Sequence, residues 1–355
     1  MKNLGIYIHI PFCRSKCPYC DFFSLVQTDT AAAYIDAVNR RVSDFQTGEY
    51  RADTLYIGGG TPSVLSGEQV AGVIETVKAH YDTPAEITVE CNPSDAAEGF
   101  LRRIYAAGAN RLSFGMQSAV ESERRALGRR ADRAQVESAV CLAADIGFQN
   151  ISLDLMLGIP HQTAESLHES IRFCASLPVQ HISAYILKIE EGTYFGKHRD
   201  TLALPDEDAT ADLYLQAVKE LEAAGFMQYE ISNFAKPGFE SRHNLKYWQL
   251  EEYLGIGAAA HSFLGGRRFY YERDIAGFIA GNEPVDDGTG GGREEQIMLG
   301  LRLREGIDTA LLSEGAKANI PLLCEQGLAA LKENRLALTA KGFLISNSII
   351  RLLEE

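Results

Sequence analysis

Six short apolar runs, rich in β-branched residues, recur from the N-terminus to Leu187: Ile6 to Ile10, Thr54 to Ile57, Glu86 to Glu90, Arg111 to Phe114, Ile151 to Leu155 and His181 to Leu187. Helical patterns fill the gaps. Ile35, Val38, Val42 and Phe45 fall at helical spacing between the first two runs, and Val70, Val73, Ile74 and Val77 do so between the next two. Strand, helix, strand, repeated with right-handed crossovers, gives a parallel sheet sheathed by helices, either an open doubly wound sheet or a partial barrel of the (β/α)6 kind. In both, the C-terminal ends of the strands converge on one face, where such folds place their chemistry. Every run ends in or near an unusual group: Cys13, then Gly58-Gly59-Gly60-Thr61-Pro62, then Glu90 with Asn92-Pro93, then Gln117; Asp154 closes the fifth and Tyr185 lies in the sixth.

With 355 residues and 46% hydrophobic content, the chain can bury one large core and support smaller pieces beside it. Residues 1–205 are expected to form the barrel. A helix candidate from Asp206 to Gly225 and an aromatic, His-rich run from Gly225 to Tyr271 make up an accessory region, 206–285, packing on that barrel. Asn282 to Gly292 has linker composition, and 293–355 reads as a small helical, winged-helix-like domain with a β-ribbon at Arg335 to Thr339.

A formal net charge of −14 disfavours a nucleic-acid backbone as partner. The N-terminus lacks the apolar core and small-residue cleavage site of a signal peptide, and no segment reaches the apolar length of a membrane span. A cytoplasmic protein is expected, with transient membrane association left open. Seven cysteines suit no disulfide framework. Cys91, Cys141, Cys174 and Cys324 read as small buried residues.

The remaining three cysteines form Cys13-x3-Cys17-x2-Cys20. Structural zinc would need a fourth Cys or His at finger-like spacing, and the next His after the motif is His80. Three thiolates suit a 4Fe-4S cluster with one iron left without a protein ligand, since a fully ligated cluster uses four. At that iron the amino and carboxylate groups of S-adenosylmethionine (SAM) can chelate, and one electron passed through the cluster cleaves a carbon–sulfur bond to give a 5′-deoxyadenosyl radical. The glycine run lets backbone approach a ligand closely. A phosphate loop would need Gly-Lys-Ser/Thr where Pro62-Ser63 stands. Taken singly, Glu90, Gln117, Arg129 and Asp154 are ordinary polar residues; their place at strand ends marks them.

Tyr7-Ile-His-Ile-Pro-Phe-Cys13, Cys17-Pro-Tyr-Cys20-Asp-Phe, Gly58-Gly-Gly-Thr-Pro62, Glu90-Cys-Asn-Pro93, Arg111-Leu-Ser-Phe-Gly-Met-Gln117, Leu127-Gly-Arg129 and Asp154-Leu-Met-Leu-Gly-Ile-Pro160 resemble the radical SAM family that includes oxygen-independent coproporphyrinogen III oxidase and the HemW-type heme chaperones. The resemblance runs in order through Tyr229-Glu-Ile-Ser-Asn-Phe-Ala235 and Gly255-Ile-Gly257 to Leu336-Ala-Leu-Thr-Ala-Lys-Gly-Phe343. It implies a radical SAM partial (β/α)6 barrel with the cluster on Cys13, Cys17 and Cys20. It further implies a SAM pocket lined by Tyr7, Tyr19, Gly60 and Thr61, with Glu90 near the methionyl end. By the same resemblance Arg129 pairs with a carboxylate, while Gln117 and Asp154 hydrogen-bond ribose hydroxyls, roles that suit a planar guanidinium and short polar groups. Two positions depart from the pattern: Arg130-Ala-Asp132 stands where His is frequent, and Cys91 where Ala is.

The oxidases of this family carry a further Cys two positions after the third ligand, where this chain has Phe22, and a longer N-terminal arm than the twelve residues before Cys13. His243-Asn-Leu-Lys-Tyr247-Trp248 matches the His-Asn-x-x-Tyr-Trp signature of the chaperones. Imidazole can ligate heme iron, and Tyr and Trp offer flat surfaces to a porphyrin. Without the resemblance, the same residues read more simply as a turn-capping His and two packing aromatics. His261 is a weaker ligand candidate. The expectation is a heme chaperone that binds the cluster, SAM and heme, serves a respiratory hemoprotein acceptor and takes electrons from a donor such as flavodoxin or ferredoxin. No residue is assigned a catalytic role. Coproporphyrinogen III oxidase and a SAM-dependent heme-modifying enzyme are the alternatives.

Overall fold

The computed structural model describes residues 1–354. Strands β1 (Lys2–Ile10), β2 (Tyr50–Gly59), β3 (Glu86–Cys91), β4 (Arg111–Gln117), β5 (Asn150–Leu157) and β6 (His181–Ile186) contain the six runs and lie side by side in that order, all parallel. Helices α1 (Ala31–Asp44), α2 (Gly67–Tyr81), α3 (Glu98–Ala107), α4 (Glu121–Ala126), α5 (Arg133–Ile146) and α6 (Ala164–Ser176) connect them. Capping boxes start three of these helices, Ser66 with Gln69, Asp132 with Gln135 and Thr163 with Ser166, which satisfies first-turn N–H groups otherwise left unpaired.

Alternation along the strands sorts side chains between two environments. In β4, Leu112, Phe114 and Met116 are buried in the core, whereas Ser113, Gly115 and Gln117 line a cavity. Ile151, Leu153 and Leu155 of β5 are buried likewise, and Asp154 and Met156 face that cavity. An apolar shell beneath the helices therefore surrounds a polar interior. Arg111, 2% exposed, belongs to the inner row, where burial raises the pKa of Glu90 and Asp154 and its positive charge partly opposes that rise.

Residues 206–285 contribute α8 (Glu207–Ala223), preceded by the one-turn α7 (Tyr194–Lys197), and strands at both ends of the sheet. Strands β7 (Met227–Gln228) and β8 (Asn233–Ala235) continue it antiparallel beyond β6. After α9 (Arg242–Trp248), strand β9 (Tyr253–Ile256) pairs parallel with β1, and β10 (His261–Leu264), β11 (Arg267–Tyr270) and, after α10 (Ile275–Ala280), β12 (Val285–Thr289) add antiparallel neighbours. The sheet runs from β12 to β7 without closing, as a partial barrel must. The linker expected over Asn282 to Gly292 is corrected here: its centre is β12, an exposed edge strand, whose pairing rests on backbone and needs no apolar side chains. Cys141 is a second correction. It is exposed on α5, whose buried face is Val136, Ala139, Val140 and Ala143; Cys91 and Cys174 are buried as expected, and Cys324 is partly so.

The C-terminal part begins with α11 (Arg293–Gly300) and carries β13 (Ile307–Asp308), short helices α12 (Glu314–Lys317) and α13 (Ile320–Glu325), the hairpin β14 (Ala329–Lys332) and β15 (Arg335–Leu338), then α14 (Ala340–Leu344) and α15 (Ser346–Glu354). Its three strands form a separate sheet in the order β13, β15, β14. No helix among the described residues is long and apolar enough to cross a membrane.

Candidate functional site

The loop after β1 brings Cys13, Cys17 and Cys20 to the C-terminal mouth of the partial barrel, where all three line one cavity of about 380 Å³. Backbone bonds hold the loop at both ends. Cys13 donates its N–H to Leu25 O (2.9 Å), Leu25 donates to Pro11 O (2.8 Å), and Cys20 donates to Cys17 O (3.1 Å). Among the described residues no three His, Cys, Asp or Glu side chains converge as ligands of a single metal ion would. The thiols instead stand around one cavity wall, the donor set that a cluster with an iron at each of three thiolates requires. Arg14 ties the loop to the buried Asp95 carboxylate at 2.6 Å.

Tyr19, Gly60, Thr61, Glu90, Gln117, Arg129 and Asp154 line the same cavity, so the strand-end residues named from the sequence meet there. Thr61 Oγ1 lies 3.4 Å from Cys13 Sγ. Arg129 Nη1 lies 3.7 Å from Cys17 Sγ while Nη2 donates to Gly115 O. Gln117 sits at a register shift between β4 and β5 with φ of 73°, and its buried Oε1 has no partner. An orphaned acceptor inside a cavity is what a hydroxyl-bearing ligand would satisfy. Asp154 accepts from Ser113 Oγ at 3.1 Å, and burial raises its pKa.

Glu90 is held from two sides, accepting from Tyr56 Oη (2.7 Å) and from the Gly59 N–H (3.1 Å). Burial nevertheless raises its pKa to about 7, with the Tyr56 and Gly59 hydrogen bonds opposing the shift. The glycine run gains a physical role from this placement: a Cβ on Gly58 would lie 2.8 Å from the Glu90 carboxyl carbon. Tyr56, Arg111, Ser113 and Asp95 join the site or brace it without having been assigned from the sequence, whereas Tyr185 was marked there at a strand end. Period-two alternation within the strands was the available signal for the first three; Asp95, in the turn after β3, had none.

Tyr7 departs from its expected place. Its ring lines a second cleft of about 700 Å³, and its hydroxyl lies 2.9 Å from His9 Nδ1. That cleft is walled on one side by β1, β9 and β10 residues and on the other by Met156 and the segment from Ile186 to Glu190. Tyr19, Cys20, Phe22 and Met156 line both spaces. Phe22 is 68% exposed at the junction.

Of the three residues named from the His-Asn-x-x-Tyr-Trp motif, His243 and Tyr247 bond to each other and Trp248 stands apart. His243, fully buried, sits at the opposite end of the strands, with Nδ1 2.8 Å from Thr54 Oγ1 and Nε2 2.7 Å from Tyr247 Oη. Glu86, at the start of β3, accepts the N–H groups of Arg242 and His243 at 3.0 Å each. Lys246 pairs with Asp53 at 2.8 Å and Glu251 at 2.6 Å. Helix α9 thus plugs the barrel floor. Only Tyr247 of the three reaches the second cleft; Trp248 packs near the Arg302 guanidinium, 5.9 Å from its ring. His243 as placed has no free ring nitrogen for iron.

Residues 7–174 match the model of the radical SAM superfamily, and residues 293–345 match that of the HemN C-terminal domain. A protein of Bacillus subtilis strain 168 named heme chaperone HemW is 36% identical, covering 97% of each chain. One of the same name from Escherichia coli K12 is 38% identical over 79% of this chain and 77% of its own. Among solved structures, coproporphyrinogen III oxidase from Escherichia coli superposes with a TM-score of 0.83 at 23% identity, covering 99% of this chain and 89% of that one.

Proposed function

Because the chain belongs to the heme chaperone HemW family of the radical SAM superfamily, we propose that it binds a 4Fe-4S cluster and SAM in the first cavity, carries heme as cargo in the second, and delivers that heme to respiratory hemoproteins. The observation that carries this reading is the shared wall: four residues, Cys20 among them, face both the cysteine-lined cavity and the larger aromatic cleft. A volume of about 700 Å³ falls in the range of about 300–1,000 Å³ typical of ligand pockets.

When bound, the cluster supplies one electron to cleave SAM, received from a carrier such as flavodoxin or ferredoxin. The chain's part is positioning. Cys13, Cys17 and Cys20 hold the cluster, Arg129 neutralises charge beside Cys17 and pairs with the SAM carboxylate, and Gln117 and Asp154 take the ribose hydroxyls. Glu90, in its ionised form, accepts an N–H of the SAM amino group. Affinity for SAM is therefore expected to rise as pH climbs through about 7, where Glu90 loses its proton. In Glu90→Gln that rise should vanish and affinity fall about ten- to hundredfold, the worth of a charge-assisted hydrogen bond. Equilibrium SAM binding measured across pH 6 to 8 checks both.

The oxidase reading is disfavoured by Phe22, which stands in the junction at the position where the oxidases carry a further Cys. Anaerobically reconstituted protein is expected to take up about one equivalent of heme and to leave coproporphyrinogen III unchanged in the presence of SAM and a competent reductant. Decarboxylation at a catalytic rate would replace the chaperone reading with the oxidase one.

A further inference from the structure

Three imidazoles stand in or near the second cleft, and their hydrogen bonds tell them apart. His9, 5% exposed, uses both ring nitrogens: Nδ1 lies 2.9 Å from Tyr7 Oη and Nε2 2.9 Å from Phe23 O. His243 is likewise engaged through Thr54 and Tyr247, behind the cleft wall. His261 lines the cleft, and among the described residues neither of its ring nitrogens has a hydrogen-bond partner. Its ring is stacked on Tyr270, centroids 5.2 Å apart with 25° between planes, which fixes the imidazole on one face and leaves its edge free.

The backbone under His261 is set with equal care. It opens β10, which folds back against β9, and a Cβ on Gly255 would lie 2.1 Å from His261 O, so only glycine permits that approach. Around it the cleft offers Tyr7, Phe22, Phe23, Ile186, Leu187 and Tyr253, a lining suited to a flat macrocycle. Two cations stand in the wall. Lys188 is closely paired with Glu190 at 2.6 Å, but the Arg273 guanidinium comes no nearer than 3.9 Å to its carboxylate, Asp21, and keeps donors for a propionate.

Resting on the reading that heme is the cargo, we infer that His261 is the axial ligand of heme iron in the second cleft, with Arg273 at a propionate and the His243 motif acting only as the floor of the barrel. A lowered pKa is consistent with this role: burial disfavours the charged imidazole, Arg268 and Arg273 act in the same direction, and Asp287 opposes them. Neutral imidazole is the form that ligates iron. Cargo held here can leave through the mouth of this cleft while the cluster cavity stays intact.

The test is titration of ferric heme into the anaerobically reconstituted full chain, followed by absorption and electron paramagnetic resonance. The parent should show a histidine-ligated heme spectrum. His261→Ala, at an exposed site, should keep its fold and iron content, lose that spectrum and bind heme more weakly, and free imidazole should restore the lost signature. His261→Met should shift the spectrum instead of abolishing it. Arg273→Ala should weaken binding with the spectrum unchanged. If His261→Ala and His261→Met both retain the parent spectrum, the ligand assignment is wrong while the chaperone reading stands. If the parent binds no heme, the reading beneath it fails.

Discussion

Replacing Cys13, Cys17 or Cys20 with Ala is expected to abolish iron and sulfide incorporation, against about four of each in the parent. The three thiols share one cavity, and with one removed too few protein ligands remain to hold the cluster. Cys91 also stands in that cavity wall and could be thought a substitute, but burial pushes its thiol pKa far up and its Sγ points toward Val89 O at 3.9 Å. Cys91→Ala and Cys324→Ala should keep the full iron content. Stoichiometric zinc in the parent, without charge-transfer absorption, would contradict the cluster.

His243→Ala should act on stability and spare cargo binding. The substitution empties a fully buried site and leaves two hydroxyls, on Thr54 and Tyr247, without their partner. Cavity formation and unpaired buried polar groups together cost about 2–4 kcal/mol, visible as a lower unfolding midpoint. Acid should narrow the gap between parent and variant. Burial lowers the His243 pKa from 6.5 to about 3 in the folded chain, so the unfolded chain binds the extra proton first. The stability this imidazole contributes is complete above about 6.5 and drains away as pH falls toward 3. A stable His243→Ala that no longer binds heme would instead make this imidazole the ligand.

Much of the first cavity is legible in the sequence, because chemistry at a parallel sheet collects at strand ends and Glu90, Gln117 and Asp154 stand there. The six strands were legible too, from Ile, Val and Leu. Their inner rows were not. Thr54, Tyr56, Ser113, Ser152 and Ser183 alternate with apolar residues, and that pattern alone fits a solvent-facing row as well as a polar interior. The family resemblance implies Tyr7 in the SAM pocket, yet from β1, which is flanked by β2 and β9, its ring faces the second cleft. The floor position of α9 had no local signal at all. It depends on Glu86, Thr54 and Asp53, residues far away in sequence that accept from or pair with Arg242, His243 and Lys246.

The place of β1 in the sheet bears on how the molecule is made. One neighbour, β2, emerges soon after it during synthesis, whereas the other, β9, comes from the far end of the chain. At about 5–20 residues per second, the wait between them is on the order of ten to forty seconds. In the last part of that interval, once β6 has emerged, the cysteine loop can sit over strands β1 to β6, while β1 still shows a bare edge and the cargo cleft lacks the wall that carries His261. Assembly thus has a built-in order in which iron and sulfide can be loaded on a nascent chain that cannot yet capture a porphyrin.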